Sequence, residues 1–169
     1  GTLSDSGCNT FVVHARKAWL KGLSPKQNRE VPELNYGRVY QLKRDFPDAE
    51  IIINGGITTL EQSIKHLNHL DGVMMGREAY TNPYILATVD QDIYGASHPA
   101  KSREKIAEAF LDYVDNELAK GTKLQAMTRH ILGLFHGMPG ARQYRRHISE
   151  NAYKPDATID VLTAALAKT

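Results

Sequence analysis

Three short apolar runs, each breaking into glycine or polar chemistry at its carboxyl end, constrain this chain more than any other feature. They are Phe11-Val12-Val13-His14-Ala15-Arg16, Ile51-Ile52-Ile53-Asn54-Gly55-Gly56 and Gly72-Val73-Met74-Met75-Gly76-Arg77. Short continuous apolar runs bounded by turn signals read as buried strands of a parallel sheet. Helical periodicity follows each one. Val39, Leu42, Lys43 and Phe46 recur within Tyr36 to Phe46, where Pro47 stops the helix. Leu60, Ile64 and Leu67 recur after Thr59, and Asn82-Pro83 reads as a cap with a first-turn proline. Strand and helix alternating in this way predict an α/β fold of βα units, the repeat of a β/α barrel with its site at the carboxyl ends of the strands. Three strands cannot close such a barrel, which needs eight in about 250 residues.

Between the first strand and the Tyr36 helix lies a loop of about twenty residues carrying Trp19, Gly22, Pro25 and Pro32, far beyond the usual connection length. Long ordered loops of this kind are commonly functional. Gly7, just before the first strand, reads as the end of a helix. From about Gly95 onward no strand-like run appears. Ser102 to Leu118, Leu124 to Phe135, Ala141 to Glu150 and Thr158 to Ala167 read as helices, punctuated by Gly121, Gly137-Met138-Pro139-Gly140 and Pro155. The expected organisation is an α/β part followed by a helical appendage.

The net charge of +2 conceals strong segregation. No acid lies between Asp5 and Glu30, where Arg16, Lys17, Lys21, Lys26 and Arg29 fall. None lies between Glu117 and Glu150, where Lys120, Lys123, Arg129, Arg142, Arg145 and Arg146 fall with His130, His136 and His147. Segregated positive charge is the footprint of a phosphate or nucleic-acid partner. Arg142, Arg145 and Arg146 share one helix face at offsets of three and four, with Tyr144 and His147 nearby for stacking. Like charges so crowded call for an anion, and an RNA backbone fits.

The strand tips point to the same ligand chemistry. Asn54-Gly55-Gly56 lets backbone N–H groups approach an anion without side-chain hindrance, and the following helix adds its positive end. Gly76-Arg77 repeats the arrangement with a guanidinium for bidentate contact. His14 ends its strand on the same rim as Arg16 and Lys17. Cys8, the single cysteine, precedes a strand without a histidine or acid beside it, so it reads as a buried structural thiol and fits a reducing cytoplasm. His66, His69, His98, His130 and His136 form no ligand pattern with carboxylates or thiols, so no metal site is expected. No apolar run approaches the roughly 18 residues of a membrane span.

Several longer motifs resemble a known family. They are Val13-His14-Ala15-Arg16-Lys17-Ala18-Trp19-Leu20, Leu23-Ser24-Pro25-Lys26 with Asn28-Arg29-Glu30, Ile53-Asn54-Gly55-Gly56-Ile57, and Gly72-Val73-Met74-Met75-Gly76-Arg77-Glu78-Ala79-Tyr80. In the tail they are Arg129-His130-Ile131-Leu132-Gly133-Leu134-Phe135 and Pro139-Gly140-Ala141-Arg142-Gln143-Tyr144-Arg145-Arg146. Together they resemble the tRNA-dihydrouridine synthases of subtype A from about Gly7 to Leu166. That family is a flavoprotein with a β/α (TIM) barrel followed by a helical RNA-binding domain. It uses NADPH to reduce FMN, which in turn reduces D-loop uridines of tRNA. The resemblance implies the last three βα units of an FMN-binding barrel over residues 1–94 and a helical tRNA-binding domain over 95–169.

By the same resemblance His14, Asn54, Gly55, Gly56, Gly76 and Arg77 hold the flavin, and Lys26, Arg29, Arg142 and Arg145 grip the tRNA. The family's general acid is a cysteine in the first half of the barrel, a segment not present here, and Cys8 does not occupy its place. The chain is thus expected to be a carboxyl-terminal portion, inactive alone and prone to self-association or to complementation by the other barrel half. Two alternatives stand beside this reading: another phosphate-binding barrel enzyme, and a standalone RNA-binding module after Gly95.

Overall fold

A computed structural model describes residues 2–169. Its contacts divide the chain into two units, the first ending at Gly76 and the second spanning Arg77–Thr169. Residues 77–94, assigned by sequence to the barrel part, therefore cluster with the helices that follow them.

The first unit contains α1 (Thr2–Asp5), β1 (Thr10–His14), α2 (Pro25–Asn28), α3 (Tyr36–Asp45), β2 (Glu50–Asn54), α4 (Leu60–Leu67) and β3 (Gly72–Met74). The strands form one parallel sheet in the order β1-β2-β3. Phe46 leaves the helical region at φ −133°, as a residue before proline must. The end of α1 has the form read from Gly7, which takes φ 88° while its N–H donates to Ser4 O at 2.9 Å. Lys43, at one of the periodic positions of α3, donates to Pro47 O and Ala49 O and pairs with Asp71 at 2.8 Å. Asp71 also accepts from Ile51 N, and that amide first, then Lys43, holds its carboxyl below the usual range. These bonds fix the start of β2 beside β3.

The two faces of the sheet differ. Phe11, Val13, Ile51, Ile53, Val73 and Met75 pack with Val39, Tyr40 and Leu42 of α3 into one core. The register aligns Val12 with Ile52 and Gly72, and His14 with Asn54 and Met74, on the other face. There Val12 is 49% and Met74 42% exposed. The expectation of buried strands is corrected: their unbroken apolar sequence suits burial on both faces, but among the described residues of the first unit helices pack on only one.

The second unit contains α5 (Arg77–Thr81), a 3₁₀ turn at Pro83–Leu86, α6 (Val89–Asp92), α7 (Arg103–Ala119), α8 (Leu124–Thr128), α9 (Ala141–Asn151) and α10 (Asp160–Leu166). No strand occurs among its described residues. Val114, Leu124, Leu134, Phe135, Tyr144, Ile148 and Leu162 form its core. The single helix expected from Leu124 to Phe135 ends at Thr128. Gly133 lies so close to the backbone of Thr81 that a Cβ there would sit 2.1 Å from its carbonyl oxygen, and Arg103 Nε donates to Leu134 O at 2.9 Å. These tertiary contacts hold the segment as turns. Asn82 precedes Pro83 but makes no side-chain cap; its amide donates to Glu78 at 3.3 Å instead. Among the described residues no helix is long and apolar enough to cross a membrane.

Candidate anion-binding site

The parallel register sets the geometry of the strand tips. His14 lies opposite Asn54, and Asn54 opposite Met74, so the residues that follow β2 and β3 leave the sheet along one edge. Ala15 N donates to Asn54 O at 2.7 Å, extending the ladder one residue past β1. Beyond it the backbone turns sharply, with Gly55 at φ 122° and Gly56 at φ 69°. A Cβ on Gly55 would stand 3.2 Å from His14 Cε1, and one on Gly56 would stand 2.6 Å from Leu34 Cδ1. The tip is thus closed to side chains, while Tyr36 donates from its hydroxyl to Gly55 O at 3.0 Å and pins the turn. A turn free of Cβ atoms is what a backbone cradle for an anion requires.

The helix after this tip contributes less than its sequence implied. Thr59 and Gln62 form a capping box: Gln62 Oε1 accepts from Thr58 N at 2.8 Å and Thr59 N at 3.3 Å, while Thr59 Oγ1 accepts from Gln62 N at 3.1 Å. The Glu61 carboxyl is held below its usual range first by its own backbone N–H. With these donors satisfied internally and an acid in the first turn, α4 offers an anion little beyond the Gly55-Gly56 turn. Gly76, after β3, has an ordinary φ and open space where a Cβ would be. Arg77 follows it as the first residue of α5, exposed, and opens the second unit.

A cleft of about 440 Å³ opens beside β1 and α3, lined by Val13, His14, Ala15, Arg16, Lys17 and Arg38 among others. Three of these are cations and none of its lining residues is an acid. Arg16 Nη1 donates to Pro32 O, but its Nε is buried without a hydrogen-bond partner among the described residues. The cleft's three cations, the orphaned guanidinium nitrogen among them, suit a phosphate group; Asn54, Gly55 and Gly56 stand at the neighbouring strand tip and do not line it. Sequence reasoning named the glycines but missed Leu34 and Tyr36. Only their place in an antiparallel bridge (Arg16 with Leu34) and at the start of α3 brings them onto the tip.

Lys26 lies within α2 and Arg29 caps it, both exposed. On α9 Arg142 is exposed and Arg145 half-buried. Among the described residues no carboxylate pairs with either, whereas Arg146 pairs with Glu150 at 2.7 Å. The expected stacking role of Tyr144 is corrected: it is fully buried, its ring edge-on to Phe135 and its hydroxyl donating to Ile131 O at 3.3 Å. Cys8, expected buried, is exposed. Among the described residues no group of three or more histidines, cysteines and acids is placed to hold a metal ion.

The family model described as dihydrouridine synthase (Dus) matches residues 1–169. A tRNA-dihydrouridine(20/20a) synthase of Vibrio cholerae is 60% identical over 162 residues, covering 96% of this chain and 50% of the relative. Proteins of the same description from Shewanella oneidensis and Escherichia coli K12 are 58% and 57% identical, over 97% and 98% of this chain. The chain spans about half the length of these curated relatives. A parallel sheet with a glycine-closed tip, a match along the whole chain and this level of identity together make the chain a member of the dihydrouridine synthase family.

Proposed function

We propose that this chain supplies the last three βα units and the helical tRNA-binding domain (within residues 95–169) of a cytoplasmic tRNA-dihydrouridine synthase that uses FMN and NADPH. The observation that carries the flavin part is the Gly55-Gly56 turn, which excludes any Cβ at the carboxyl edge of a parallel sheet, the edge where barrels hold phosphate. Its backbone amides, with Gly76 and Arg77, take the FMN phosphate, while His14 and Asn54 hydrogen-bond the rest of the cofactor. Bound flavin, once reduced, supplies the reducing equivalents for the C5–C6 double bond of a D-loop uridine. The chain's own residues bind and orient. Tyr36 engages the Gly55 carbonyl through its hydroxyl, and the half-buried Arg16 adds positive charge. Lys26, Arg29, Arg142 and Arg145 grip the phosphates of tRNA.

The uncovered sheet face at Val12, Ile52 and Met74 is where further barrel strands would pack. The 169-residue polypeptide by itself is therefore expected to bind FMN weakly, to associate through that face and to show no turnover. Titration of FMN against the purified chain, followed by flavin fluorescence, tests this; micromolar affinity with reduction of uridine in tRNA would refute it. Filter binding of tRNA tests the second half. Arg142→Ala and Arg145→Ala should each weaken binding and lower the salt slope by about one. Unchanged binding in both variants would remove α9 from the interface. Binding of tRNA without any FMN affinity would favour the standalone RNA module.

A further inference from the structure

The loop between β1 and α3 is a closed excursion held at two levels. At its base Asn35 N donates to Ala15 O at 2.7 Å, Arg16 pairs with Leu34, and Arg16 Nη1 donates to Pro32 O. Further out, Trp19 N donates to Asn28 Oδ1 at 2.7 Å and Asn28 Nδ2 returns a bond to Trp19 O at 2.9 Å. Asn28 is itself the last residue of α2, whose start is fixed by a Ser24–Gln27 capping box. The backbone of Trp19 is thus clamped, yet its side chain stays in water: Trp19 is 50% exposed and its neighbour Leu20 95%. Among the described residues no other aromatic ring packs against the indole. Lys17, Lys21, Lys26 and Arg29 are all exposed on the same excursion, and no acid falls between Asp5 and Glu30.

A loop that orders its backbone while leaving a large apolar ring half in solvent forgoes the burial that tryptophan obtains on average. Surrounding cations make the site attractive to polyanions but do not explain the ring. An unpaired nucleobase satisfies both features, since its face stacks on an aromatic side chain while its phosphates meet lysine and arginine. A duplex, whose bases are already stacked on one another, offers no free face. We propose that Trp19 is a stacking platform for an unpaired base of the RNA, flanked by Leu20 and held by the Asn28 clasp. The inference rests on the RNA-binding reading above and deepens it, because it assigns a base contact to a loop from which only phosphate contacts were drawn.

Trp19 is the chain's one tryptophan, so its fluorescence reports the contact directly in the unaltered protein. Titration with a labelled single-stranded oligouridylate, read by anisotropy of the label and by tryptophan emission together, should give parallel curves with strong quenching. Double-stranded RNA, inorganic polyphosphate and polyglutamate should leave the emission nearly unchanged. Trp19→Ala should weaken oligouridylate binding about 5- to 150-fold, the range for loss of one base stack, with the salt slope unaltered, and Trp19→Phe should restore most of it. A rise in anisotropy without quenching would overturn the platform while leaving RNA binding intact. Equal quenching by polyglutamate would overturn it in favour of an acidic protein partner. No anisotropy change with any RNA would overturn both the platform and the reading beneath it.

Discussion

Replacing Gly56 with alanine tests whether the second strand tip is closed by packing or merely happens to contain glycine. Two costs add. The residue sits at φ 69°, where an L side chain is unfavourable by about 1–2 kcal/mol. The new Cβ would also stand 2.6 Å from Leu34 Cδ1 and 3.3 Å from the Tyr36 hydroxyl. Leu34 Cδ1 is the end of a flexible side chain, so the overlap belongs at the low end of the about 1–3 kcal/mol typical of overpacking. The sum, about 2–3 kcal/mol, is a large share of the about 5–15 kcal/mol that holds a domain together. Gly76→Ala is the matched control from the neighbouring tip. With an ordinary φ and nothing within 4 Å, it should change stability by less than about 0.5 kcal/mol. Native-state hydrogen exchange of the β2 amides in urea reports the first unit and gives both values. Repeating Gly56→Ala in a Leu34→Ala background should recover the overlap part of the cost, leaving the backbone part. Equal effects of Gly56→Ala and Gly76→Ala, or no recovery in the Leu34→Ala background, would refute the packing argument.

His66 should make the first unit sensitive to mild acid. It is buried on α4, with Tyr40 Oη 2.7 Å from its Nδ1 and the Tyr36 ring packed T-shaped at a centroid distance of 4.5 Å. Burial first, and then the neighbouring His69, push its pKa below the ordinary 6.5. As pH falls below that value the unfolded chain takes up a proton that the folded chain refuses. Stability should therefore be level above it and decline below it, until the folded-state pKa is passed. Urea midpoints between about pH 5 and 8 should show this decline in the parent and a flatter profile in His66→Asn; identical profiles would count against it. In the second unit, Gly133→Ala would place a Cβ 2.1 Å from Thr81 O and 2.7 Å from its carbon. Because the obstacle is backbone it cannot swing aside, and a loss of more than about 3 kcal/mol is expected. Retention of the parent's cooperative thermal melt would show that the α5 contact is dispensable.

The strands were legible because they are short apolar runs ended by glycine or a polar group, and each strand begins within one residue of the run that marked it. The helix read from Ser102 to Leu118 was equally local: α7 starts at Arg103, with the Ser102 hydroxyl accepting from Lys105 N at 3.3 Å. Charge segregation could also be read directly, since it needs no coordinates. The turns from Arg129 to Phe135 could not be read from sequence. Leu132, Leu134 and Phe135 keep an apolar pattern compatible with a helix, and only the close approach of Gly133 to Thr81 forbids one.

For the candidate site the division follows the same physics. Sequence alone determined which residues stand at the strand tips, because one dipeptide fixes whether backbone amides are unobstructed. Tertiary structure decided what surrounds them: the Arg16–Leu34 bridge brings Leu34 against Gly56, and Tyr36 onto the Gly55 carbonyl, from a segment about twenty residues away along the chain. It also buried Tyr144 and left Trp19 and Cys8 in solvent. Burial and hydrogen-bond partnership depend on which distant elements arrive. Local spacing encodes periodicity, caps and charge, but not those arrivals.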